Sequence, residues 1–79
     1  MSNREKYVAA FTSTFLIDES ALAGLQYQDI AAWDSVGHMA LMTALEETFS
    51  IEMDIDDIIE FSSFEYGCTI LAKYNINME

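Results

Sequence analysis

At 79 residues the chain has room for one small domain, residues 1–79, near the lower size at which a single core sustains a fold. Fourteen acidic residues against three basic ones give a net charge of −11. That excludes a nucleic-acid binder held by phosphate contacts and argues against anionic membrane surfaces; the natural partners are proteins with basic docking patches, approached by steering.

Cys68 stands alone, so there is no intramolecular disulfide and no cysteine cluster for zinc. No apolar run approaches membrane-spanning length, and the amino terminus lacks the pattern of a signal peptide, so a cytoplasmic location is the default expectation. A hydrophobic fraction of 52% argues against disorder. With no proline and only Gly24, Gly37 and Gly67, the composition suits a helical domain without tight β-turns.

The first predicted helix runs from Met1 to Leu16, with Ser2 or Asn3 as its cap and Glu5 in its first turn. Tyr7, Phe11 and Phe15 recur every four residues, with Val8 alongside, and form one apolar stripe for the core. From Ile17 to Trp33 the period breaks. Asp18-Glu19-Ser20, Gly24 and Tyr27-Gln28-Asp29 are turn types, and Leu22, Leu25 and Ile30 are the expected inward anchors. Trp33 is read as a packing residue.

A second helix is predicted from Ser35 to Phe49, capped by Asp34, whose carboxylate can accept from free N–H groups of the first turn. Ser35 then occupies the first helical position beside the positive end of the dipole, where a phosphate ester on its oxygen would be favoured. Leu41, Met42, Leu45 and Phe49 share the core face, with Met39 at its margin. Val36, Ala40, Thr43 and Glu47 lie on the opposite side. His38 falls on the core-side stripe and is expected to be half-buried and hydrogen-bonded. Gly37 costs about 1 kcal/mol of helix propensity relative to alanine and leaves room beside Ser35.

The acidic segment from Ser50 to Phe61 reads as a short third helix starting at Asp54 or Asp56 and presenting Ile58, Ile59 and Phe61 to the core. Asp54, Asp56 and Glu65 match three positions of a calcium loop, but Ile58 and Ile59 fail where an oxygen ligand and a glycine are needed. Ser62-Ser63-Phe64-Glu65 reads as a capping box that opens the last helix, whose inner face holds Phe64, Gly67, Cys68 and Leu71. Gly67 is expected to allow a close helix crossing, Lys73 suits the negative end, and Asn75 to Glu79 should fray.

Asp34-Ser35-Val36, followed by Met42-Thr43-Ala44-Leu45-Glu46-Glu47-Thr48-Phe49, resembles the acyl carrier protein signature of Asp-Ser-Leu and a helix ending in an Ala-Leu-Glu-Glu-x-Phe-like run. The likeness extends over the whole chain. It implies an all-α, four-helix bundle with three longer helices, one short third helix and a long first loop. It also implies 4′-phosphopantetheine, moved from coenzyme A onto Ser35 by a phosphopantetheinyl transferase, and acyl groups carried as thioesters. On that reading Asp34, Val36, Ala40, Thr43, Glu46, Glu47, Glu52, Asp56 and Asp57 dock acyl-activating and acyl-transferring enzymes. Met39, Met42, Ile58 and Ile59 line a shelter for an acyl chain. The domain would be a monomer without catalysis of its own, and the chain's extent suggests a free-standing carrier.

Gly37 and His38 stand where the central fatty-acid carriers have an acidic residue, which makes a peptidyl or aminoacyl carrier the runner-up. Two other classes compete. One is an acidic protein-interaction module in which Ser35 is never modified; the other is an enzyme using Ser35 and His38 as nucleophile and base.

Overall fold

The computed structural model describes residues 1–78. Helix α1 (Asn3–Phe15) starts at Ser2, whose hydroxyl accepts from the Glu5 N–H while the Glu5 carboxylate accepts from the Ser2 N–H. This is a reciprocal capping box, and its hydrogen bonds hold the Glu5 carboxyl below its ordinary range. Tyr7, Ala10, Phe11 and Phe15 bury their stripe. The helix ends at Leu16, which turns into the left-handed region and is exposed, so the helix is shorter by a residue or two at each end than the pattern predicts.

Between Ile17 and Trp33 the chain makes one short turn of helix, Glu19–Ala21, capped by Asp18. Leu22 and Leu25 are buried and Ile30 is half-buried, in line with their reading as anchors. The order of this long segment comes from elsewhere in the chain. An isolated antiparallel bridge pairs Gln26 with Ser63; Tyr27 N–H donates to the Ser62 carbonyl and Phe64 N–H to the Leu25 carbonyl, both at 2.9 Å. Backbone groups that have no helix to satisfy them are thus satisfied by a second loop.

Helix α2 (Ser35–Phe49) packs against α1 and buries Leu41, Met42 and Leu45. The space beside Gly37 is not free as expected: a Cβ there would collide with the Ala32 carbonyl, so the glycine lets the preceding loop press against the first turn. Helix α3 (Ile55–Glu60) is six residues long and opens at Asp54, which makes no side-chain cap. Phe61 is buried and Ile58 half-buried, but Ile59 is 73% exposed, so the expectation that Ile59 faces the core is corrected. On so short a helix, adjacent isoleucines cannot share one face.

Helix α4 (Phe64–Ala72) is capped by Ser63, which accepts from the Tyr66 N–H at 2.9 Å. The expected Ser62–Glu65 box does not form; Glu65 reaches across to accept from the Gly24 N–H instead. Gly67 meets its expectation, since a Cβ there would collide with the Tyr7 hydroxyl and the Phe61 ring. The tail does not fray through Met78: Ile76 is buried, Asn3 donates to the Asn77 carbonyl, and Glu79 lies outside the described residues.

The core is aromatic. Phe11 lies 5.1 Å from both Tyr7 and Phe64 and 5.5 Å from Trp33, while Trp33 stacks on Phe15 at 5.4 Å. Tyr7 donates its buried hydroxyl to the Phe64 carbonyl at 2.7 Å, and burial holds that phenol well above its usual range. The result is an all-α fold of four helices among the described residues, with no helix long and apolar enough to cross a membrane.

Candidate functional site

The first turn of α2 builds the site. Asp34 is in extended backbone and its Oδ1 accepts from the Gly37 N–H at 2.8 Å, as the cap reading predicts. This leaves the N–H groups of Ser35 and Val36 without intrahelical partners, at the end of a fifteen-residue helix where negative charge is favoured. Ser35 is exposed, and it lines the edge of a groove of about 320 Å³ between α2 and α3. The other walls are Tyr27, His38, Met39, Ile58, Ile59, Phe61 and Ser62.

Three of the four residues expected to shelter an acyl chain, Met39, Ile58 and Ile59, are therefore brought together beside Ser35. Met42 is not. It is 1% exposed and packed in the core, because one further helical turn carries it past the groove's floor. Tyr27 was legible only as a turn residue; the long-range pairing with Ser62 is what carries it to the groove, and no local pattern signals that. A larger depression of about 610 Å³ runs between α1 and the first loop, with Arg4, Glu5, Asp18 and Glu19 in its lining and no residue shared with the Ser35 groove.

His38 is half-buried at the groove's floor with both ring nitrogens engaged. The Trp33 indole N–H donates to Nδ1 at 2.9 Å, and Nε2 lies 2.7 Å from the Ile58 carbonyl. An indole nitrogen is only a donor, so Nδ1 is the acceptor and the ring proton sits on Nε2, donating to Ile58. The imidazole is held as one neutral tautomer that ties the loop before α2 to α3. With neither nitrogen aimed at Ser35, the arrangement does not provide a nucleophile and base pair.

Exposed apolar side chains stand beside Ser35 in the chain and in the groove it edges. Val36 is 78% exposed, and Met39, Ile55 and Ile59 are exposed as well. Asp34, Ala40, Thr43, Glu47, Glu52 and Asp56 are exposed. Glu46 is half-buried and spends one carboxylate oxygen on the Met53 N–H at 2.9 Å, fixing the turn after α2.

Asp57 is corrected outright. It is 4% exposed, accepting from Lys73 Nζ and from the Tyr74 hydroxyl, both at 2.5 Å. These hydrogen bonds, Lys73 first and then Tyr74, hold its carboxyl below the usual carboxylate range, and they raise Lys73 in turn. The Tyr74 oxygen also accepts from the Asp54 N–H. Asp57 thus fastens α3 to the end of α4 and is not a steering charge. Cys68 is half-buried, and burial pushes its thiol up, which suits a packing residue. Glu65, offered as a calcium ligand by its spacing, is committed to Gly24.

No protein-family model matches the chain, and no curated protein or solved structure matches it at a level that would show kinship.

Proposed function

We propose that the domain is a carrier of the acyl carrier protein type, with 4′-phosphopantetheine borne on Ser35 Oγ. One observation carries the reading. An exposed serine hydroxyl stands at the first position of a long helix, at the edge of an apolar groove, with an exposed apolar residue, Val36, directly after it. A phosphodiester at that oxygen would meet unpaired N–H groups and a favourable dipole, and the arm attached to it would have a groove to lie in. Both requirements of the group are met by this chain's own residues.

In the attachment step, Ser35 Oγ would displace the adenosine bisphosphate half of coenzyme A at the pyrophosphate, its proton passing to the transferase. When bound, the arm supplies a thiol that holds acyl groups as thioesters and keeps them at high effective concentration for successive enzymes. Asp34 fixes the helix start. Val36, Ala40 and Thr43 offer a small apolar strip to the partner, and Glu47, Glu52 and Asp56 steer its basic patch, so added salt should slow docking.

The rival enzyme reading is disfavoured by His38, whose two nitrogens are spent on Trp33 and Ile58. The carrier reading is tested by incubating the protein with coenzyme A and a promiscuous phosphopantetheinyl transferase and measuring intact mass. One phosphopantetheine should be gained by the wild type and none by Ser35→Ala. No gain in the wild type, or a gain that survives in Ser35→Ala, rejects it.

A further inference from the structure

We infer that His38 is the specificity-determining residue of the groove and restricts the group carried there to short acyl chains; this rests on reading Ser35 as the attachment point. The groove ends where α2 and α3 are stitched together by the hydrogen bond between His38 Nε2 and the Ile58 carbonyl, 2.7 Å long. Behind that stitch lies Trp33, fully buried, its ring edge to edge with His38 and nearly coplanar, centroids 6.2 Å apart and only 14° between the planes. Phe61 closes the remaining side, edge-on to the imidazole at 6.2 Å. The groove is floored.

A long hydrocarbon tethered at Ser35 gains by leaving water, and the nearest large apolar volume is the core beyond Met42. The way in passes between α2 and α3. To take it, the chain must part His38 from Ile58 and Trp33, leaving the Ile58 carbonyl, both imidazole nitrogens and the indole N–H facing hydrocarbon without partners. Buried polar groups left unpaired are costly, and here four would be stranded together. The core offers no slack in return, because the rings of Phe11, Phe15, Trp33 and Phe61 already pack edge and face. A short group meets none of these costs. It rests on Met39, Ile58 and Ile59 and stops at His38.

The test places the chain without any transferase. Full-length protein carrying Ser35→Cys and Cys68→Ala is alkylated with iodoacetamides whose N-alkyl chain grows from ethyl through octyl to dodecyl. The readouts are the thermal midpoint and the emission of Trp33, the single tryptophan. With His38 present, both should stay flat as the chain lengthens. With His38→Ala added, the midpoint should climb by at least about 4 °C from ethyl to dodecyl, and the emission should shift with it. His38→Gln, which can accept from the indole and donate to Ile58, should restore the flat profile. A midpoint that rises with length while His38 is present overturns the inference, and so does a flat series in folded His38→Ala. Should His38→Ala not fold, His38→Val, which lacks both hydrogen bonds but fills more of the space, takes its place: a rising series supports the bar and a flat one refutes it. Because this chemistry bypasses coenzyme A, failure of phosphopantetheine transfer to wild-type Ser35 is read separately.

Discussion

Helix α2 has two flanks that obey different rules. Toward α1 it buries Leu41, Met42 and Leu45 in an aromatic core where every ring touches another. Toward α3 it leaves Met39 exposed on a groove that the exposed Ile59 of α3 also lines. A small domain has little apolar surface to spare, so exposed large side chains beside a groove fit the docking surface proposed above. Stability resides on the sealed flank. The open flank is held in shape by polar ties, His38 to Ile58 on one side of α3 and Asp57 to Lys73 and Tyr74 on the other.

The contrast is broken most forcefully by removing a ring from the sealed side. Phe11→Ala should cost about 3–5 kcal/mol in denaturant unfolding, comparable with the whole stability of so small a domain, and would leave much of the protein unfolded. Gly67→Ala should cost about 1–3 kcal/mol even though alanine is the better helix former, because the added methyl meets Tyr7 and Phe61. A neutral or stabilising result there would mean that α4 crosses α1 less closely than described.

The polar tie on α3 predicts a pH response. The folded Asp57 carboxyl lies below the ordinary value of 3.8, so its contribution is fully present above that pH and is lost as pH falls through the lowered folded value. Lys73 is raised above 10.5; its share is present below that value and disappears as pH climbs through the raised one. Thermal midpoints of the wild type should therefore fall at the acid end more steeply than those of Asp57→Asn, which starts lower. Parallel curves would remove Asp57 from that role. The smallest effect on stability belongs to the open flank: Val36→Ala and Ile59→Ala should each change it by less than about 0.5 kcal/mol while slowing modification of Ser35 by a transferase. Loss of stability with no change in modification rate would reverse the assignment of the two flanks.

Local chemistry made much of this legible in the sequence. The cap at Asp34, the start and end of α2, the stripe of Tyr7, Phe11 and Phe15 and the core-side position of His38 all follow from spacing within one or two turns. What escaped depends on residues far apart in the chain. Tyr27 reaches the groove through its pairing with Ser62, Glu65 leaves its own helix for Gly24, and Asp57 turns inward because Lys73 and Tyr74 wait sixteen and seventeen residues on. Ile59 is exposed although its pattern reads as core, because two adjacent isoleucines on a six-residue helix cannot both face inward.

A carrier of this type must bear its covalent group on Ser35 in the organism that makes the protein. Intact mass and fragment spectra of protein purified from its native host measure this most directly. The account predicts a population heavier by one phosphopantetheine, or by that arm with a short acyl group, with the added mass on the fragment containing Ser35. Protein recovered wholly at its unmodified mass from growing cells, or modified at another residue, would contradict it.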